Sequence, residues 1–198
     1  MRWRLLMVGI AVIGVGGLIH YNLNTYRNQY EPRIYTLMPT KELVLTIEGN
    51  PEYTFDTALL TFHSVGRLLK LSPSYFSGRY DDWESRSDRS NQSTTVDYVR
   101  PVPETLSSLG TIRDTDTVTL RLQRRDKTRI AELRHQGPYA SIPESILRLK
   151  QFIASRDHDI HGFYEEVYLI FEAMEQDPLK FETLLRFEVR PTSKIAGE

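Results

Sequence analysis

From Thr117 to Arg190 the spacing of apolar positions changes from a period of two to a helical period and back again. Val118, Leu120 and Leu122 alternate with Thr117, Thr119, Arg121 and Gln123, predicting a strand with one buried face. An Arg124-Arg125-Asp126 turn is expected to return the chain as a second strand from Thr128 to His135. Ile146, Leu149, Phe152 and Ile153 then recur at helical spacing behind Ser141-Ile142-Pro143-Glu144, which has the form of a capping box with proline in the first turn. A helix from Ile142 to Arg156 follows. Two more strands come after it. Phe163, Glu165, Val167, Leu169 and Phe171 alternate with Tyr164, Glu166, Tyr168 and Ile170, and Phe181, Thr183, Leu185, Phe187 and Val189 alternate with Glu182, Leu184, Arg186, Glu188 and Arg190. A sheet buries its apolar side against another layer, so the helix is expected to cover the faces of Phe163 and Phe181. Tyr164, Glu166 and Tyr168 would then face away from it.

Two readings of that tyrosine-carboxylate face stand side by side. In one it is a solvated strand surface, with Glu166 paired across strands to Arg186. In the other it is a platform for an organic cation, because aromatic faces and a carboxylate attract the same charge. A second protein layer over Glu166 would make a cationic partner valuable.

The order of short motifs adds a resemblance. His135-Gln136-Gly137-Pro138-Tyr139 precedes the helix, Glu166-Val167-Tyr168 follows it, and Asp177-Pro178 and Thr183 open the last strand. In order and spacing this half resembles the C-terminal half of the GyrI-like effector-binding family, which includes gyrase-inhibitory proteins and the ligand domains of multidrug-sensing regulators. The resemblance implies an α+β fold: two strand-helix-strand-strand modules side by side, helices on one face of an antiparallel sheet and a ligand groove on the other. It also implies that Glu166 is the central acidic residue and that Tyr168 and Tyr139 are motif tyrosines. With Tyr164, they form the expected ligand-binding set.

The first half departs from that pattern. Leu43 to Ile47 reads as a strand, but Thr54 to Leu71 admits two readings. As strand and turn, Ala58 to Gly66 echoes Ile130 to Gly137, a weak internal repeat. As a helix, Phe55, Leu59, Phe62 and Leu69 fall on one stripe. The serine-, glycine- and charge-rich stretch from Ser72 to Thr95 reads as a long surface loop. Val96 to Arg100 reads as an edge strand stopped by Pro101 and Pro103, with a short helical turn from Pro103 to Leu106. The expected boundaries are a signal anchor at 1–21, a linker at 22–40 and the effector-binding domain at 41–192. Within the domain, 41–116 is a divergent first module and 117–192 the second.

The anchor rests on the apolar run from Leu5 to Ile19, preceded by Arg2 and Arg4 and flanked by Trp3 and Tyr21. An uncleaved transmembrane helix with a cytoplasmic N-terminus is expected, which places the domain on the outer, periplasmic or extracytoplasmic, side; cleavage near Gly14-Val15-Gly16 is the other reading. Among 198 residues, 25 lysines and arginines face 26 acidic residues, a balance that argues against nucleic acid as a partner. The chain has no cysteine, which excludes disulfides, thiolate metal sites and cysteine nucleophiles. His158-Asp159-Ile160-His161 lacks a third metal ligand, and no cofactor motif occurs. Three function classes remain: a membrane-anchored binder of amphipathic or cationic organic molecules, a hydrolase of reactive electrophiles using Glu166, and a protein-interaction module with a vestigial pocket.

Overall fold

Residues 31–49, 51–71, 75–81, 83, 94–109 and 118–193 are those that this computed structural model describes, and among them are eight strands and two long helices. In chain order these are β1 (Arg33–Leu37), β2 (Thr40–Gly49), α1 (Pro51–Leu68), β3 (Phe76–Tyr80), β4 (Thr94–Pro101), β5 (Val118–Arg125), β6 (Thr128–Gln136), α2 (Ile142–Ser155), β7 (His158–Ile170) and β8 (Glu182–Pro191). The expected anchor at 1–21 lies outside the described residues. No described helix is long and apolar enough to cross a membrane. β1 falls inside the stretch expected as a linker, and it is a strand of the sheet.

The strands pair antiparallel in the order β1-β6-β8-β7-β3-β4-β2-β5. That order contains the two expected modules, β2-α1-β3-β4 and β6-α2-β7-β8, which meet where β3 pairs with β7. The expected hairpin between β5 and β6 does not form. β5 pairs with β2, whereas β6 pairs with β1 and β8. Leu37 faces Thr128 and Thr40 faces Arg125, so the ladder skips two residues on each side without changing register. β1 with β2, and β5 with β6, therefore make one long two-stranded ribbon, bent where Pro39 has no N–H to offer the ladder. Its two halves sit at opposite ends of the strand order, so the sheet curls until those ends meet along the ribbon.

In the first module the helical reading of α1 holds. Phe55, Ala58, Phe62 and Val65 are buried along one stripe. The apparent repeat fails, since Ala58 to Gly66 is helical and Ile130 to Gln136 is a strand. The stretch expected as a loop contains β3, which runs through the middle of the sheet between β4 and β7. β4 is likewise an interior strand and not an edge, flanked by β2 and β3; Pro101 is tolerated as its last residue. The turn after it forms, with Leu106 N–H donating to the Pro103 carbonyl at 3.0 Å. In α2 the buried stripe is Ile142, Ile146, Leu149 and Ile153. Ser141 does not cap it: a 3-10 turn at Tyr139–Ser141 runs straight into the helix, and the serine hydroxyl donates to the Pro138 carbonyl at 2.8 Å.

Direct cross-strand partners share a face. One such row runs Leu120, Leu45, Tyr98, Gly78, Glu166, Leu185, Leu133. Both helices lie on this side: Phe55 and Phe62 meet Phe76, while Ile146 and Leu149 share a core with Leu133 and Leu185. Tyr164, Glu166 and Tyr168 therefore lie on the helix side, contrary to the expectation from alternation. Phe163, Glu165, Val167 and Leu169 face away. Apolar content misleads here because the curl buries both faces, with Val44, Val99, Ile130 and Val167 as dry as the helix-side core. A register shift between Tyr168 and Ile170 returns Phe171 to the helix side, edge-on to Phe55 at 5.7 Å.

The inner face of the curl carries charge in strict alternation. Arg33, Glu132, Arg186, Glu165, Arg79 and Asp97 are successive cross-strand partners. Arg186 reaches Glu132 at 2.8 Å and Glu165 at 3.2 Å, Arg79 reaches Glu165 at 3.0 Å and Glu42 at 3.3 Å, and Arg125 reaches Glu42 at 3.2 Å. Burial alone would raise the pKa of Glu165, but Arg79, Arg186 and the Ser77 hydroxyl hold it below the usual carboxylate value. Glu132 is lowered in the same way against burial, by Tyr35, Arg186 and Arg33.

Candidate ligand-binding site

β3 and β7 form the central pair of the sheet, and their register sets Glu166 opposite Gly78. The Glu166 side chain has no exposed surface. Tyr164 and Tyr168, two residues to either side on the same strand, donate their hydroxyls to its two oxygens at 3.0 and 3.1 Å. Gly78 suits a close approach. A Cβ there would stand 3.0 Å from the hydroxyls of both Tyr168 and Tyr80.

Rings from both modules enclose this carboxylate. Tyr80 stacks on Tyr164 with centroids 6.0 Å apart, and Trp83 meets Tyr164 edge-on at 5.2 Å. Tyr168 packs against Phe55 of α1 at 4.9 Å and Phe76 at 5.3 Å. Buried Tyr98 closes the next position, its hydroxyl bonded to that of Thr54 on α1 at 2.9 Å. The result is a buried carboxylate held by two phenol hydroxyls and packed round by aromatic side chains from both modules.

The Glu166–Arg186 pair of the solvated-face reading is not made. Glu166 faces Leu185, while Arg186 projects to the inner side and pairs with Glu165 and Glu132. Of the four residues expected to bind ligand, Glu166, Tyr164 and Tyr168 meet. Tyr139 donates its hydroxyl to Glu172 at 2.7 Å and lays its ring against Phe181. His135 is buried near the site, with Nδ1 2.9 Å from the Ser145 hydroxyl. Burial lowers its pKa, although the Pro138 and Gly137 backbone and the Glu166 charge pull the other way. Phe76, Gly78, Tyr80 and Trp83 escaped sequence reasoning. Their signal was the alternation of Phe76, Gly78 and Tyr80, hidden in a polar stretch.

No family model and no curated protein sequence matches the chain. Solved structures do. The EcmrR C-terminal domain is similar over 82% of this chain and 99% of its own length, with TM-score 0.57 and 14% identity. The fold is the one that the GyrI-like resemblance implies. EcmrR in its DNA complex matches over 96% of this chain and 70% of that one, with TM-score 0.60 and 13% identity. A hydrolase encoded by lin2189 from Listeria innocua has the same fold, over 82% of this chain and 93% of that one, with TM-score 0.62 and 14% identity. At such identities the likeness is one of fold alone.

Proposed function

We propose that this domain binds amphipathic organic cations, with Glu166 as counter-charge and Tyr164, Tyr168, Tyr80 and Trp83 as aromatic walls. The observation that carries this reading is a carboxylate without exposed surface, held by two phenol hydroxyls at the seam between the modules. In this reading the domain is in a closed form, and a ligand enters between α1 and α2 by displacing rings above Gly78. Each cation–π contact would contribute about 0.5–2 kcal/mol, depending on desolvation. The EcmrR C-terminal domain shares the fold, which fits an effector-binding role. The test is a thermal-shift panel of quaternary ammonium and phosphonium compounds. Wild type is expected to be stabilised, and Glu166→Gln to lose roughly tenfold or more in affinity, the scale of a charge-assisted contact. Equal stabilisation of the two proteins would remove Glu166 from this role.

A hydrolase reading is weaker, because both carboxylate oxygens already accept hydrogen bonds from tyrosines, whereas a general base must turn an oxygen toward water. In the proposed arrangement the apolar run at residues 5–19 tethers the domain to a membrane with the domain on the outer side. Recovery of the full chain in the soluble fraction after alkaline extraction of membranes would overturn that tether.

A further inference from the structure

A cleft of about 450 Å³ lies away from Glu166, between the C-terminal half of α1 and strands β3 and β4. Its volume falls within the range of small-molecule sites, about 300–1,000 Å³. Its walls are apolar, from Leu59, Phe62, Leu71 and Phe76, and every charged side chain lining it is basic: Arg100, Arg67 and Lys70. Arg100 is buried at 6% exposure and directs Nη1 to the Phe62 carbonyl at 3.1 Å. Gly66 makes room for it. A Cβ on Gly66 would stand 2.7 Å from that same nitrogen, so a glycine in the last turn of α1 admits the guanidinium to the cleft. Arg67 and Lys70 stand exposed at the rim.

We infer that this cleft is a second binding site, for amphipathic organic anions whose carboxylate or similar head meets Arg100, Arg67 and Lys70 while an apolar body lies on Phe62, Leu71 and Phe76. A guanidinium's planar fork matches a carboxylate, and the rim cations Arg67 and Lys70 add to the attraction. Burial lowers the Arg100 pKa. Phe76 belongs to both sites, packing on Tyr168 on one side and lining the cleft on the other. The polarity is opposite to that at Glu166, and the inference does not depend on the reading of that carboxylate.

The test uses a matched pair of probes, 4-phenylbutyrate and 4-phenylbutylamine, titrated into the full chain by calorimetry. Wild type and Glu166→Gln are expected to bind 4-phenylbutyrate alike, and 4-phenylbutylamine is expected not to displace it. Arg67→Glu combined with Lys70→Glu, both at exposed positions that leave the core intact, should weaken binding by roughly tenfold, the loss of a charge-assisted contact. No binding of the anion, unchanged affinity in the double variant, or displacement by the amine would each overturn the inference.

Discussion

At the candidate site the tightest position is a glycine. Gly78 sits opposite Glu166 on the paired strand, and the hydroxyls of Tyr168 and Tyr80 occupy the space a methyl group would need. Gly78→Ala is expected to lower stability by about 1–3 kcal/mol, the cost of overfilling a packed site. Urea denaturation would measure it, and Tyr80→Phe in the same background should restore part of the loss. An unchanged midpoint would mean that the rings yield freely. Glu166, by contrast, is legible as a candidate site residue from its motif, because it stands directly before Val167-Tyr168 at informative spacing.

At the scale of elements, the alternating ladder on the inner face decides more than the apolar count does. Glu165 lies between Arg79 and Arg186, all three largely buried, so Glu165→Gln leaves two guanidinium groups under-compensated. A loss of about 3–5 kcal/mol is expected, as for other broken buried ion pairs. The exposed pair of Arg124 and Glu104 serves as the control, and Glu104→Gln should cost under about 1 kcal/mol. Chemical denaturation of both variants would separate the cases. The same ladder explains what sequence could and could not reveal. The strands of the second module, α2 and its stripe were readable from periodicity, since one face of each meets a single apolar layer. Which face of β7 meets the helices was not, because Val167 and Glu165 are as buried as Tyr164 and Glu166. β3 was hidden because Ser77 and Arg79 make a core strand look like a polar loop. Nor could spacing tell that Asp126-Lys127 is a joint in a ribbon, since a hairpin and a bend use the same short polar link.

For the whole molecule, acid should act in two steps. His135 has a lowered pKa, so between about 6.5, its usual value, and its folded value the unfolded chain binds the extra proton, and stability falls with pH in that window. Glu132 and Glu165 are also lowered. Their contribution is present above about pH 4.3, the ordinary value for glutamate, and is lost as pH drops further through their folded values. A stability profile from pH 8 to 3 should therefore decline in two stages, with the upper stage missing in His135→Gln. Constant stability between pH 7 and 5 would contradict the assignment.

The bent ribbon also decides what counts as an independent piece of this protein. β1 precedes the first module yet completes the second, and β5 follows the first module and completes it while leading covalently into β6. Each half thus holds its neighbour's outermost strand. A gene cut between the two modules would yield fragments that must find each other before either could finish its own sheet.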